Sequence, residues 1–364
     1  MDAINSHFNR RMFVQSLATA GAGLALGLPG KAQGQAPATG ARRIKLGLDN
    51  FAVRAMKWKA PQLLEYAASL KTDSLFITDF GPFESLEDNY LKQIRARAED
   101  KGLQIQLGSW SICPTSKSFR KDWGTAEEHL ALGIRMAKAL GSAVFRVVLG
   151  SGEDRRTEGG IEARIEDTVK VCQSCRSRAL DAGVKIAVEN HAGDMQAWEL
   201  VSLIEAAGKD YVGANMDSGN ATWTIEDPLA SLEILAPYVA TTSLRDSAVW
   251  ESENGAMVQW TAMGDGTVDL KAYFDRFAAL CPGVPVHIET ISGARRELTY
   301  LKDDFWKLWP KARAKDFARF VALAKRGKAP ERRRGSESEQ DFQKAEIERS
   351  IKYCKEVLGL GLKA

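Results

Sequence analysis

Glu189, Asn190 and His191 stand in a row at the end of the apolar run 185–188, just ahead of a glycine at 193. Core packing has no use for a carboxylate, an amide and an imidazole together, so their place at a strand end points to chemistry. Other apolar runs close in the same way. Asp217 ends VGANMD, Arg245 and Asp246 end VATTSLRD, and His287 and Glu289 fall at the end of VPVHIET. Asp49, Asp79, Trp110 and Arg146 occupy comparable positions earlier in the chain. Alternation along a strand puts Glu189 and His191 on one face, and His287 and Glu289 on one face. Glu189, Asp217 and Glu289, brought together in low dielectric, would repel and raise one another's pKa. Such a cluster needs a counter-charge, either a divalent cation (Mn²⁺, Mg²⁺, Co²⁺ or Zn²⁺) or an arginine. The plainer alternative is that each carboxylate separately caps the helix that follows its strand.

The elements that would gather these residues alternate regularly. Strands are expected at 43–50, 74–79, 103–110, 143–150, 185–191, 212–217, 239–246 and 284–290, with helical segments between them. The strands are apolar on both faces, as parallel strands covered by helices must be. Eight such units over about 250 residues predict an α/β fold, a closed (β/α)₈ TIM barrel, whose chemistry lies where the strands finish. No G-x-G-x-x-G follows the first strand, which disfavours a dinucleotide-binding sheet. Helical segments at 302–325 and 341–358, joined by the charged stretch 326–340, fall outside the eight units. We therefore divide the chain into a leader (1–36), a barrel (37–300) and a C-terminal helical extension (301–364). The run Arg332–Arg334 reads as a solvated loop.

The segments AVENHAG, NMDSGN, TSLRD with MGDGTVDLKAYF, and VHIET, in this order, resemble those of the xylose-isomerase-like TIM barrels, the sugar isomerase and epimerase superfamily. The resemblance runs over residues 43–300. It implies a divalent metal held by Glu189, Asp217 and Glu289. The third ligand of that family, in chain order, comes from H-x-K-D, which here is Ser243-Leu244-Arg245-Asp246, so a serine stands where a histidine is expected. The metal then recruits His287 or water, binds weakly, or gives way to Arg245 as the counter-charge. The resemblance further implies proton transfer beside a carbonyl, with Glu189 and Glu289 as the catalytic pair. Asn220, three residues after Asp217, suits a sugar hydroxyl. His191, Arg245, Trp110 and Asp246 complete the expected substrate-binding set.

The leader carries Arg10 and Arg11, then Phe13, a weakly apolar Ala/Gly/Leu run and a small-x-small end at 34–36. This pattern resembles a twin-arginine export signal and predicts a periplasmic or otherwise exported protein. The whole chain has 50 basic and 47 acidic residues. Removing the leader takes Arg10, Arg11, Lys31 and Asp2, leaving a net charge of +1 and no electrostatic footprint for nucleic acid. Metal-dependent DNA repair on the same barrel would need a histidine-rich site, and the chain has 4 histidines. No later stretch is apolar enough to span a bilayer. Five cysteines, an odd number, suggest no disulfide framework, and Cys172 and Cys175 read as helix-face thiols. The expected partner is a small, non-phosphorylated sugar, cyclitol or keto-glycoside, and a homo-oligomer is left open. A lyase acting on keto-glycosides and a carbohydrate-binding barrel without catalysis are the competing readings.

Overall fold

The computed structural model describes residues 43–331 and 335–363. The expected leader and the Arg332–Arg334 run lie outside them. Eight parallel strands form the barrel: β1 (Leu46–Asp49), β2 (Ser74–Ile77), β3 (Gln104–Ser111), β4 (Val144–Val148), β5 (Lys185–Glu189), β6 (Val212–Met216), β7 (Val239–Thr242) and, after a hairpin β8 (Asp246–Ser252) and β9 (Gly255–Thr261), β10 (Val286–Ile288). Pairing runs β10-β1-β2-β3-β4-β5-β6-β7. The ring closes through Leu244, whose N–H donates to His287 O (2.7 Å) and whose C=O accepts from Glu289 N (2.9 Å). Strands such as VFRVV are buried at every residue, because the barrel interior takes one face and the helices the other.

The helices follow in order: α1 (Ala60–Ser69), α2 (Asp88–Asp100), α3 (Ala126–Leu140), α4 (Gly160–Ser174), α5 (Arg176–Ala182), α6 (Ala197–Ala207), α7 (Ser218–Trp223), α8 (Pro228–Leu235), α9 (Leu270–Leu280), α10 (Asp303–Trp306), α11 (Ala314–Arg326) and α12 (Glu339–Glu356). Local signals set their ends. Thr125 and Glu128 form a capping box at the start of α3, and Gly141 ends it in the left-handed region. Inside α3, Gly133 faces the Phe145 ring so closely that a Cβ would lie 1.9 Å from it, which seats the helix tightly on β4.

The seventh strand stops at Thr242 rather than at the expected 246, and Asp246 instead begins β8. The hairpin β8–β9 pairs with β11 (Arg295–Leu298) in an antiparallel sheet of order β11-β9-β8. Val249, Val258, Leu298, Phe320 and Leu323 bury a small second core between this sheet and α11. The segment after 300 packs on the barrel. Ile347, Ile351 and Cys354 of α12 belong to the main barrel core. Tyr66 of α1 donates to Glu348 (3.3 Å), and Ser350 accepts from Met263 N (3.1 Å). The chain then returns to the first strand, where Gly361 N donates to Ile44 O (2.9 Å). α12 therefore fills the eighth helix position of the ring.

Candidate active site

The strand ends meet at the C-terminal mouth of the barrel, where one ligand atom from each of Glu189, Asp217 and Glu289 lies within 4.8 Å of the others. All three side chains are buried. Glu189, at the end of β5, pairs with Arg146 of β4 (Nε to Oε2, 2.5 Å) and accepts from Asn215 (2.7 Å) and Asn220 (3.1 Å). Asp217 caps α7 through Oδ1, taking Gly219 N (2.7 Å) and Asn220 N (3.0 Å), while its Oδ2 takes Asn220 Nδ2 (2.8 Å) and the Arg245 guanidinium. The same Arg245 nitrogen, Nη2, also bonds Glu289. Arg245 lies over the Trp260 ring with its Cζ 4.4 Å from the centroid.

These surroundings separate the carboxylates. Burial pushes Glu289 well above the ordinary range against the pull of Arg245, and the charges of Asp49, Glu189 and Asp217 add to that push. Burial likewise raises Asp217 to about 7, opposed by Arg245. For Glu189 the burial cost is overcome chiefly by Arg146, with Arg245 adding to it, and its pKa falls below the ordinary value. Such opposed environments are how one site keeps one carboxyl protonated and another ionised.

A cavity of about 640 Å³ opens beside the cluster, lined by Trp110, Arg146, His191, Asn220, Trp223, Arg245, Trp260 and Glu289, among others. Trp223 and Trp260 stack at 4.0 Å between centroids, giving the cavity one flat aromatic wall. Several buried polar atoms on lining residues have no partner among the described residues: Asn220 Oδ1, Trp223 Nε1, and Arg245 Nε and Nη1. His129 Nδ1, on a further lining residue, is also without a partner among the described residues. His191 approaches Gly150 O through Nδ1 (2.6 Å). A carbonyl can only accept, so Nδ1 carries the proton and Nε2 remains an acceptor. Burial lowers the His191 pKa, which favours this neutral form. Ala192 beside it adopts φ 43°, a strained value for alanine. Asp194 fixes that turn by accepting from His191 N (2.8 Å) and Met195 N (2.5 Å).

Not every expected residue reaches the cavity. Glu289, His191, Asn220, Arg245 and Trp110 line it. The Glu189 oxygens face Arg146, Asn215 and Asn220 instead. Asp246, expected to bind substrate, is turned away because the hairpin begins there. Its carboxylate is held by the N–H groups of Ser247 (2.7 Å), Gly264 (3.1 Å) and Gly266 (2.9 Å). The GDG turn at 264–266 thus wraps a carboxylate of the chain itself. A Cβ on Gly266 would fall 2.1 Å from Asp246 Oδ1. His287 is sealed in the barrel between Ser74 Oγ (2.9 Å) and Thr242 O (3.2 Å), and burial lowers its pKa to about 3. Asn190 clamps β5 to β6, exchanging two hydrogen bonds with the Asp217 backbone (2.8 and 2.9 Å). The sequence reading left out Asn215, although period-two spacing from Asp217 places it on the same interior face. Arg54, in the 3-10 turn Asn50–Met56 after β1, and Arg120, on the loop after β3, also line the cavity and carry no strand-end signal.

Three carboxylates are suitable chemistry for a hard divalent cation, but both oxygens of Glu189, both of Asp217 and Oε2 of Glu289 are already engaged. Ser243, at the place of the expected histidine, donates to Asp49 Oδ2 (2.9 Å) and accepts from Asn215 (3.3 Å). The arrangement does not fit a metal with Arg245 where it stands.

A family profile described as xylose isomerase-like TIM barrel matches residues 64–306, and the chain belongs to that family. A 3-oxo-isoapionate decarboxylase from Pectobacterium atrosepticum is 22% identical over 212 residues, 58% of this chain and 70% of that protein. Among solved structures, a D-psicose 3-epimerase determined in the presence of D-fructose aligns with TM-score 0.58 and 14% identity, covering 87% of this chain and all of the other (100%). The IOLI protein, solved with a bound zinc atom, aligns with TM-score 0.54 and 15% identity, covering 77% of this chain and 95% of that one.

Proposed function

We propose that the protein is a sugar-modifying enzyme that transfers a proton at the carbon beside a carbonyl of a non-phosphorylated keto-sugar. The observation that carries this reading is an aromatic-walled cavity with a carboxyl group, Glu289, at its edge and the polar side chains of Asn220, His191 and Arg245 in its lining. Aromatic faces pack on sugar C–H faces, and the polar lining side chains match hydroxyls and a carbonyl. In this scheme the substrate carbonyl oxygen takes N–H groups of Arg245, which stabilise the charge of an enediolate as it develops. Glu289 exchanges the proton, Asn220 Oδ1 takes a hydroxyl, and His191 Nε2 accepts from another. Glu189 acts indirectly, holding Arg146 and Asn220 in place. The names of the relatives support the substrate class, since they are a keto-acid decarboxylase and a ketose epimerase. Loss of a leaving group from the same enediolate would make the enzyme a lyase. A keto-acid substrate losing CO₂ would reach the same enediolate by C–C cleavage, and the decarboxylase relative and the lining cations Arg54 and Arg120 favour a lyase as the second reading.

The leader at 1–36 supports export by a twin-arginine route, and with it a substrate free of phosphate. Among the described residues no helix is long and apolar enough to cross a membrane. Incubating the protein with ketoses and 3-keto-sugars in D₂O tests the reading. Wild type is expected to exchange deuterium beside the carbonyl. Glu289→Gln is expected to lose about 10²–10⁴-fold in that rate while binding the same sugar within a few-fold.

A further inference from the structure

We infer that the guanidinium of Arg245 is the resident cation of this site, standing where a divalent metal would have to bind. The inference extends the proposed function by naming the charge that balances the carboxylates.

The space itself is the first argument. Nη2 of Arg245 bonds both Asp217 Oδ2 and Glu289 Oε2, so it bridges two of the three carboxylates that converge. A metal ion bridging the same two oxygens would meet a fixed positive charge at contact distance, a repulsion with no compensating ligand. The ligand count is the second argument. Both oxygens of Glu189 are taken by Arg146, Asn215 and Asn220, and Oδ1 of Asp217 is spent on two backbone N–H groups. Ser243 directs its proton to Asp49. A neutral hydroxyl so engaged is a weak replacement for an imidazole ligand.

The third argument is that the fold is shaped to hold the arginine. A Cβ on Gly219 would fall 2.3 Å from Arg245 Cγ, so the glycine of DSGN is what admits the side chain. Trp260 covers one guanidinium face, and Trp260 Nε1 is itself tied to Gly219 O (3.0 Å). Arg245 is 2% exposed, and the arginine cannot leave without uncovering buried carboxylates. Arg146 plays the matching part for Glu189. Two arginines from β4 and the β7 end thus face the three carboxylates, and Nε and Nη1 of Arg245 have no partner among the described residues.

Metal content and metal binding decide the matter without any substrate. Purified wild type, analysed for elements and titrated calorimetrically with Mn²⁺ and Zn²⁺, is expected to carry fewer than about 0.1 ion per chain and to bind neither ion stoichiometrically at the cluster. Arg245→Ala, and Ser243→His with Arg245→Ala, are expected to bind Mn²⁺ at least about tenfold more tightly than wild type, since each uncovers the carboxylates. Circular dichroism establishes that the variants are folded, and wild-type stoichiometry decides alone if they are not. About one ion per wild-type chain, lost in Asp217→Asn, would overturn the inference, as would equal Mn²⁺ affinity in wild type and folded Arg245→Ala. A metal-bearing wild type that still exchanges protons would remove this inference and leave the proposed function standing. A metal-free chain with no exchange on any keto-sugar would do the reverse.

Discussion

Arg146 shows what a single side chain contributes here. Its guanidinium holds Glu189 at 2.5 Å and donates to Ser109 O at 2.7 Å, so β3, β4 and β5 are tied beneath the cavity. Replacing it with methionine would fill similar volume but leave a buried carboxylate without its charge partner. Arg146→Met should therefore cost on the order of 3–5 kcal/mol in unfolding free energy, read from urea denaturation. A loss below 1 kcal/mol would mean that the pair carries little of the cluster's balance. At this scale the sequence was informative wherever a polar residue closed an apolar run. Glu189, Asp217 and Glu289 do converge. The sequence could not show which way each side chain turns. Asp246 differs from Arg245 by one position, yet the strand alternation sends Arg245 to the cavity and Asp246 to the GDG turn. Asn190, between Glu189 and His191, went into backbone clamping for the same reason.

At the level of elements, the period of apolar residues located the eight barrel strands, and the departures have local causes. The seventh strand was drawn too long because VATTSLRD continues without a breaker, although its ladder ends at Thr242. The hairpin β8–β9 was passed over because its turn, Glu253–Asn254, lies in a polar stretch without flanking long apolar runs. That omission hid the sheet that carries Trp260 into the cavity. The role of α12 was hidden by about 50 residues of intervening chain, which break the strand-helix beat. Its packing makes a sharp expectation. Ile347, Ile351, Cys354, Leu358 and Leu360 are all buried in the main core. Their burial contributes on the order of 10 kcal/mol, comparable with the whole stability of a typical domain. A chain cut before residue 338 should show no cooperative thermal transition. A truncated chain that melts near the wild-type temperature would show that the ring closes without α12.

Taken whole, the molecule buries many carboxyl groups, and its stability should depend on pH accordingly. Glu226 is a useful probe because it lies apart from the acidic cluster. Burial raises its pKa from an ordinary value near 4.5 to about 8, and the nearby charges of Glu199 and Asp316 add to this against the hydrogen bond from Ala197 N. Arg155, paired with Glu199, is the cation of that neighbourhood. A carboxyl whose pKa is raised on folding favours the folded state fully below its unfolded value. It gives up that contribution as pH rises towards its folded value. Wild-type stability should thus decline between about pH 5 and pH 8. Glu226→Gln, which cannot ionise, should gain in melting temperature relative to wild type as pH increases through that window. A constant difference at all pH values would show that Glu226 titrates normally. The composition was silent on these interior charges, since burial is a property of the fold and not of any residue count.

The central claim is that the cavity moves a proton beside a sugar carbonyl. The most direct measurement is deuterium incorporation by NMR, with purified wild type and Glu289→Gln each incubated in D₂O with a panel of ketoses and 3-keto-sugars. Deuterium is expected at one carbon next to the carbonyl of at least one sugar with wild type, and a rate lower by at least about 100-fold with Glu289→Gln. No incorporation into any sugar, or equal incorporation by both proteins, would contradict it.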